Sequence, residues 1–161
     1  MERVTLLDTS VGTTNLGDEI IMRCFREEMR TFLEKYFVLT APTHLRSFSV
    51  MQNVGRLPDS AGEISNSKYK FVCGTNLLSP NLLHRSNQWD LSLLTCKPFR
   101  NSVLVGVGDT AFLNSGLSGA YTRAIYQKVL SKEHVHSVRT EQAKESLNKL
   151  GFKALNTGCL T

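Results

Sequence analysis

The chain has 161 residues, 41% of them hydrophobic and 20% charged, with a formal net charge of +5. This is one domain's length, with enough apolar material for a core and a composition unlike that of disordered chains. The modest positive charge attracts anions, but no Lys/Arg block or aromatic–basic interleaving marks a nucleic-acid binder, and no window approaches the roughly 18 apolar residues of a membrane span.

The first apolar run, Val4-Thr5-Leu6-Leu7, reads as a strand. A turn rich in Gly, Thr and Asn follows, and an amphipathic helix starts at once. Ile20, Ile21, Cys24, Phe25, Met29, Phe32, Leu33 and Tyr36 recur at helical spacing, which predicts a helix over 19–36 with Asp18 as its N-cap. A short strand is predicted over 37–40, a helix over 44–54 and a Ser/Asn/Gly/Pro-rich surface loop over 55–68. Residues 69–73 form the next strand, ending in the turn Gly74-Thr75-Asn76, and 102–107 the clearest buried strand, closed by Gly106-Val107-Gly108-Asp109. A helix over 118–130, a strand over 136–139, a helix capped by Thr140 and stopped at Gly151, and a last strand over 153–156 complete the chain. The alternation predicts one α/β domain, a Rossmann-like parallel sheet with helices on both faces.

In such a sheet, ligands bind beyond the carboxyl ends of the strands. The candidate binding residues are therefore Gly12, Thr14, Asn15, Gly17 and Asp18 in the first turn, Gly74, Thr75 and Asn76 in the second, Gly106, Gly108 and Asp109 in the third, and Arg139 after the later strand. Backbone N–H groups, amides and a guanidinium suit a polyhydroxylated or phosphorylated ligand. Asp18 and Glu19 disfavour phosphate at the first helix terminus, where sugar hydroxyls fit better. Bland roles stand beside these: Asp18 serves equally as a cap, Asn15 as a brace of its own loop and Asp109 as a turn residue. The four histidines and four cysteines carry no metal-ligand spacing, so no metal is expected. Cys24 falls on the apolar helix face and Cys73 inside a strand, which reads as buried free thiols in a reducing, cytoplasmic setting. No G-x-S-x-G elbow, G-x-G-x-x-G turn or P-loop lysine is present.

The motifs, taken in order, resemble the polysaccharide pyruvyl transferase family. Asn15-Leu16-Gly17-Asp18-Glu19 is similar to its opening Asn-x-Gly-Asp-Glu signature, and Val72-Cys73-Gly74-Thr75-Asn76 and Leu104-Val105-Gly106-Val107-Gly108 to its later glycine-turn strands. Ser137-Val138-Arg139, Leu147 to Gly151 and Thr157-Gly158-Cys159 follow its closing pattern. The chain departs from that pattern at Thr140, where the family often has an acid, and at Leu160, where it often has proline. The resemblance implies the amino-terminal half of a two-domain fold like that of the B-type glycosyltransferases, incomplete without a carboxyl-terminal domain or partner chain. It implies a transferase of polysaccharide biosynthesis that moves a pyruvyl group from phosphoenolpyruvate to a sugar, with no bound cofactor. The other readings are a non-catalytic glycan or nucleotide-sugar binding module, and a partner-dependent subunit.

Overall fold

A computed structural model of the chain describes residues 1–53, 61–83, 87–110 and 119–161. Strand β1 (Arg3–Asp8) lies between β2 (Phe37–Pro42) and β3 (Tyr69–Cys73), and β3 pairs in turn with β5 (Ser102–Val105). All three pairings are parallel. The chain thus crosses from β2 back over β1 to reach β3, and such a reversal is where an open parallel sheet offers a crevice, beyond the carboxyl ends of β1 and β3. Two short parallel pairs complete the topology: β4 (Asn76–Leu78) with β6 (Gly108–Asp109), and β7 (His136–Val138) with β8 (Ala154–Asn156).

Helices cover both faces, as the strand alternation requires. Met22 and Phe25 of α1 (Leu16–Glu28) and Leu33 of α2 (Arg30–Leu33) pack on Val4, Leu6 and Cys73. On the opposite face Leu7, Val72 and Leu104 meet Ile125, Tyr126 and Val129 of α5 (Ala120–Val129) and Ala143 and Leu147 of α6 (Glu141–Lys149). Thr140 caps α6 by accepting from Ala143 N at 3.1 Å, and Gly151 follows it with φ +85°. These two termini match the sequence expectation.

Several boundaries differ from it. The helix expected over 19–36 breaks at Met29, and the second segment sets Phe32 against Tyr36, Tyr69 and Phe71, with ring centroids 4.9 to 5.9 Å apart. Asp18 is not the N-cap: Asn15 is, its Oδ1 accepting from Gly17 N at 3.0 Å. Of the helix expected over 44–54, α3 (Val50–Asn53) alone forms among the described residues, started by reciprocal bonds between Ser49 and Gln52. The loop expected over 55–68 contains a helical turn, α4 (Gly62–Ser65). Lys70 explains it: its buried ammonium donates to the carbonyls of Ser65 at 3.0 Å, Ser67 at 3.5 Å and Arg100 at 3.0 Å, and so satisfies the end of α4. The expected strand over 102–107 stops at Val105, because Gly106 turns to φ +62°. Residues 54–60 and the helix start expected at 118 lie outside the described residues.

A side chain, rather than a backbone ladder, joins β5 to β7. His136, fully buried, accepts from Leu104 N at Nδ1 (3.1 Å) and donates from Nε2 to Ser131 O (2.8 Å). This pairing fixes the neutral tautomer, and burial holds the imidazole below its ordinary 6.5. The unfolded chain takes up the proton near 6.5, so this contribution to stability is present above that pH and lost as pH falls below it. We expect the urea midpoint to drop between about pH 7 and 5, and the His136→Gln variant, less stable at neutral pH, to lose much less across that window. A slope unchanged in the variant would refute this assignment.

The candidate strand-end site

β1 ends in Asp8, which is 5% exposed and organises its own turn. Its Oδ1 accepts from Ser10 N at 2.8 Å and Ser10 Oγ at 2.6 Å, while Oδ2 accepts from Arg26 Nη2 at 3.3 Å. Arg26 also donates to Thr40 Oγ1 at 3.3 Å, tying α1 to β2. The loop that follows is exposed at Gly12, Thr14 and Asn15. Gly12 adopts φ +86° beneath Leu45, whose Cγ would lie 2.6 Å from an added Cβ. Asp18 is buried at 3% exposure in the first turn of α1, where the helix dipole favours its charge, and it has no ion-pair partner among the described residues.

The second and third turns lie side by side. Gly74 N donates to Val105 O at 2.8 Å and Gly108 N to Thr75 O at 2.7 Å, with Gly74 at φ +68° and Thr75 at φ +49°. Both residues need the left-handed region because the chain must turn and then resume pairing as β4. Gly74 also needs the absence of a side chain, since a Cβ would collide with Ile21 Cγ2 of α1. Gly108 needs that space for another reason: its Cα faces Arg139 Nε and Asn76 Oδ1, and any Cβ would overlap both.

Arg139 thus joins the turns. Its Nη2 donates to Asn76 Oδ1, its Nη1 lies 3.9 Å from Cys159 Sγ, and its backbone N–H donates to Val107 O at 3.1 Å. Among the described residues it meets no carboxylate, which leaves a half-buried cation at the carboxyl edge of the sheet with capacity for an anionic or hydroxyl-bearing ligand. Asp109 takes a different part. Its Oδ1 accepts from Thr140 Oγ1 at 2.7 Å, so it anchors the cap of α6. Gly106 is covered by Leu160, and its N–H donates to Ser137 Oγ at 3.0 Å.

Of the twelve sequence candidates, Gly74, Thr75, Asn76, Gly108 and Arg139 are therefore brought together. Asp109 and Gly106 stand behind them in supporting contacts. Gly12, Thr14, Asn15, Gly17 and Asp18 form the separate loop and helix start beyond β1, and no hydrogen bond or ion pair joins them to Arg139 among the described residues. Asp8 and Arg26 were not singled out by sequence reasoning; an acid at a strand end three residues before Val11-Gly12 is the signal that could have found Asp8.

Cys159, exposed, and Cys24, half-buried, depart from the expectation of buried thiols, which Cys73 and Cys96 meet. The Thr161 hydroxyl at 3.3 Å, aided by Arg139, lowers the Cys159 thiol below the ordinary value, whereas burial raises Cys73 and Cys96. Under native conditions iodoacetamide should alkylate Cys159 first, and mass spectrometry should find Cys73 and Cys96 unmodified until the protein is denatured. Early labelling of Cys73 would contradict this packing.

Among the described residues no helix is long and apolar enough to cross a membrane, and no three His, Cys, Asp or Glu side chains converge as a metal set. The chain matches no protein-family model, no curated protein and no solved structure.

Proposed function

We propose that this chain is a Rossmann-like domain of the polysaccharide pyruvyl transferase type, and that its strand-end turns form the sugar-acceptor wall of a cleft. The reaction joins a sugar diol to the enol carbon of phosphoenolpyruvate, leaving a pyruvate ketal and free phosphate. It needs a proton for the enol methylene, a base for the sugar hydroxyl and cations for the donor's charges. The observation that carries the reading is the cluster of Asn76, Gly108 and Arg139 at the carboxyl edge, where a guanidinium without an acidic partner among the described residues meets backbone held open by glycines. Asn76 and Arg139 offer the paired polar contacts that orient a sugar. Asp109, the acid carried by the same turns, is engaged with Thr140, which supports a binding role for this wall; in this reading the acid–base groups belong to a second domain or a partner chain.

Residue-resolved amide spectra test the assignment. Adding acidic and neutral oligosaccharides to the chain should shift the signals of Gly74, Asn76 and Gly108 in a saturable way. Phosphoenolpyruvate, added alone, should leave those three signals in place. The reverse pattern would overturn the division of labour.

A further inference from the structure

We propose a second binding site, for a small oxyanion bearing a carboxylate or phosphate group, in a cleft that shares no residue with the strand-end turns. The cleft has a volume of about 480 Å³ and is lined by His44, Arg46, Asn87, Trp89, Asp90 and Tyr121, with leucines at its border. Trp89 is 2% exposed, and its indole Nε1 is buried with no hydrogen-bond partner among the described residues. His44 Nε2 is likewise buried and unpartnered. Folded proteins rarely leave such groups orphaned, and a pair of them lining one cleft points to a ligand.

The protons on the two rings define what that ligand must offer. Trp89 Nε1 is a donor by its chemistry. His44 Nδ1 lies 3.1 Å from Thr43 Oγ1, the hydroxyl of a residue 1% exposed. With that hydroxyl, otherwise unpartnered among the described residues, donating to Nδ1, the ring proton lies on Nε2. Two buried N–H donors therefore lack an acceptor.

The cleft's own carboxylate is engaged elsewhere. Asp90 is committed to Arg46, with Nε 2.7 Å from Oδ2 and Nη2 3.4 Å from Oδ1. The Tyr121 hydroxyl accepts from Leu93 N at 3.4 Å, and Ser92 Oγ lies 2.9 Å from Thr95 Oγ1. A neutral hydroxyl would bring its own donor into a site already rich in them. A carboxylate or phosphate oxygen brings acceptors alone, and the Arg46 guanidinium stands at the border to share its charge. The Trp89 ring is held edge-on against Phe99, with centroids 6.5 Å apart, so the indole donor is fixed before any ligand arrives.

Trp89 is the single tryptophan of the chain, so one indole N–H signal reports on this cleft directly. The intact chain is titrated at constant ionic strength with inorganic phosphate, with acetate and with glycerol, following that signal. We expect phosphate or acetate to move it along a saturable curve, the tighter of the two identifying the group. His44→Phe, which removes the second donor, should weaken that binding about tenfold. His44→Gln, which keeps an N–H donor, should stay within about threefold of the wild type and serves where the phenylalanine variant does not fold. A signal unmoved by both anions overturns the proposal. So does tighter binding of glycerol, a His44→Phe variant of unchanged affinity, or a folded His44→Gln variant weakened as much as tenfold.

Discussion

Replacing Gly74 with alanine should be among the most damaging single substitutions in this chain. The residue holds φ +68°, where an L side chain costs roughly 1–2 kcal/mol, and its new Cβ would strike Ile21 Cγ2. Ile21 is β-branched, buried on α1 and unable to rotate away without leaving its preferred rotamer, so overpacking adds about 1–3 kcal/mol. We expect thermal unfolding to begin about 10 °C lower. The two terms can be separated. The Gly74→Ala/Ile21→Leu double variant removes the branched methyl and should recover the packing share but not the backbone share. A Gly74→Ala protein as stable as the wild type would contradict the turn geometry on which the crevice rests.

Gly108→Ala is expected to act differently, on the site more than on the fold. Gly108 does not sit at positive φ, so alanine meets no backbone penalty there. Its Cβ would instead occupy the space of Arg139 Nε and Asn76 Oδ1 and drive the two apart. Losing a hydrogen bond to a charged group is worth about 1.5–3 kcal/mol, which corresponds to a loss of roughly 10- to 100-fold in affinity for an acceptor sugar held by that pair. Calorimetric titration of the oligosaccharide that best shifts the wild-type amides checks this, alongside a melting temperature expected to fall only slightly. Unchanged sugar affinity in a variant whose Arg139 has moved would remove that residue from the acceptor wall.

Much of the frame was legible because each principal strand announces itself locally. Val4 to Leu7, Tyr69 to Cys73 and Ser102 to Val105 are apolar runs bounded by turn residues, and the Thr140 and Gly151 termini of α6 follow directly from capping chemistry. Asn15 and Asp18 show where local reading stops. Both are good N-caps, and the choice between them depends on which end of the turn meets Gly17. β4 and β6 span three and two residues, too short for any periodicity to mark them. α4 was hidden because its stabilising partner, the Lys70 ammonium, is supplied by the following strand.

The candidate site divides in the same way. Glycine turns at strand ends are visible in sequence, since a ligand-bearing edge needs close backbone approach. That Gly108 serves Arg139 rather than its own torsion angles is a contact across 31 residues and carries no local signal. The same holds for His136, read from sequence only as the first residue of a strand, whose ring stands in for backbone pairing between β5 and β7. Trp89 and His44 come to line one cleft only through folding.

The central claim, a sugar-acceptor wall in a pyruvyl-transferring protein, is tested most directly on the protein purified from its native host. It is incubated with phosphoenolpyruvate and the host's surface polysaccharide, and the polysaccharide is then examined by carbon NMR for a ketal carbon and its methyl group. A pyruvate ketal should form with equimolar release of phosphate, and should be lost in an Arg139→Ala variant that remains folded. Phosphate release without a ketal, or a polysaccharide left unmodified by a folded protein that still binds it, would contradict the transferase reading.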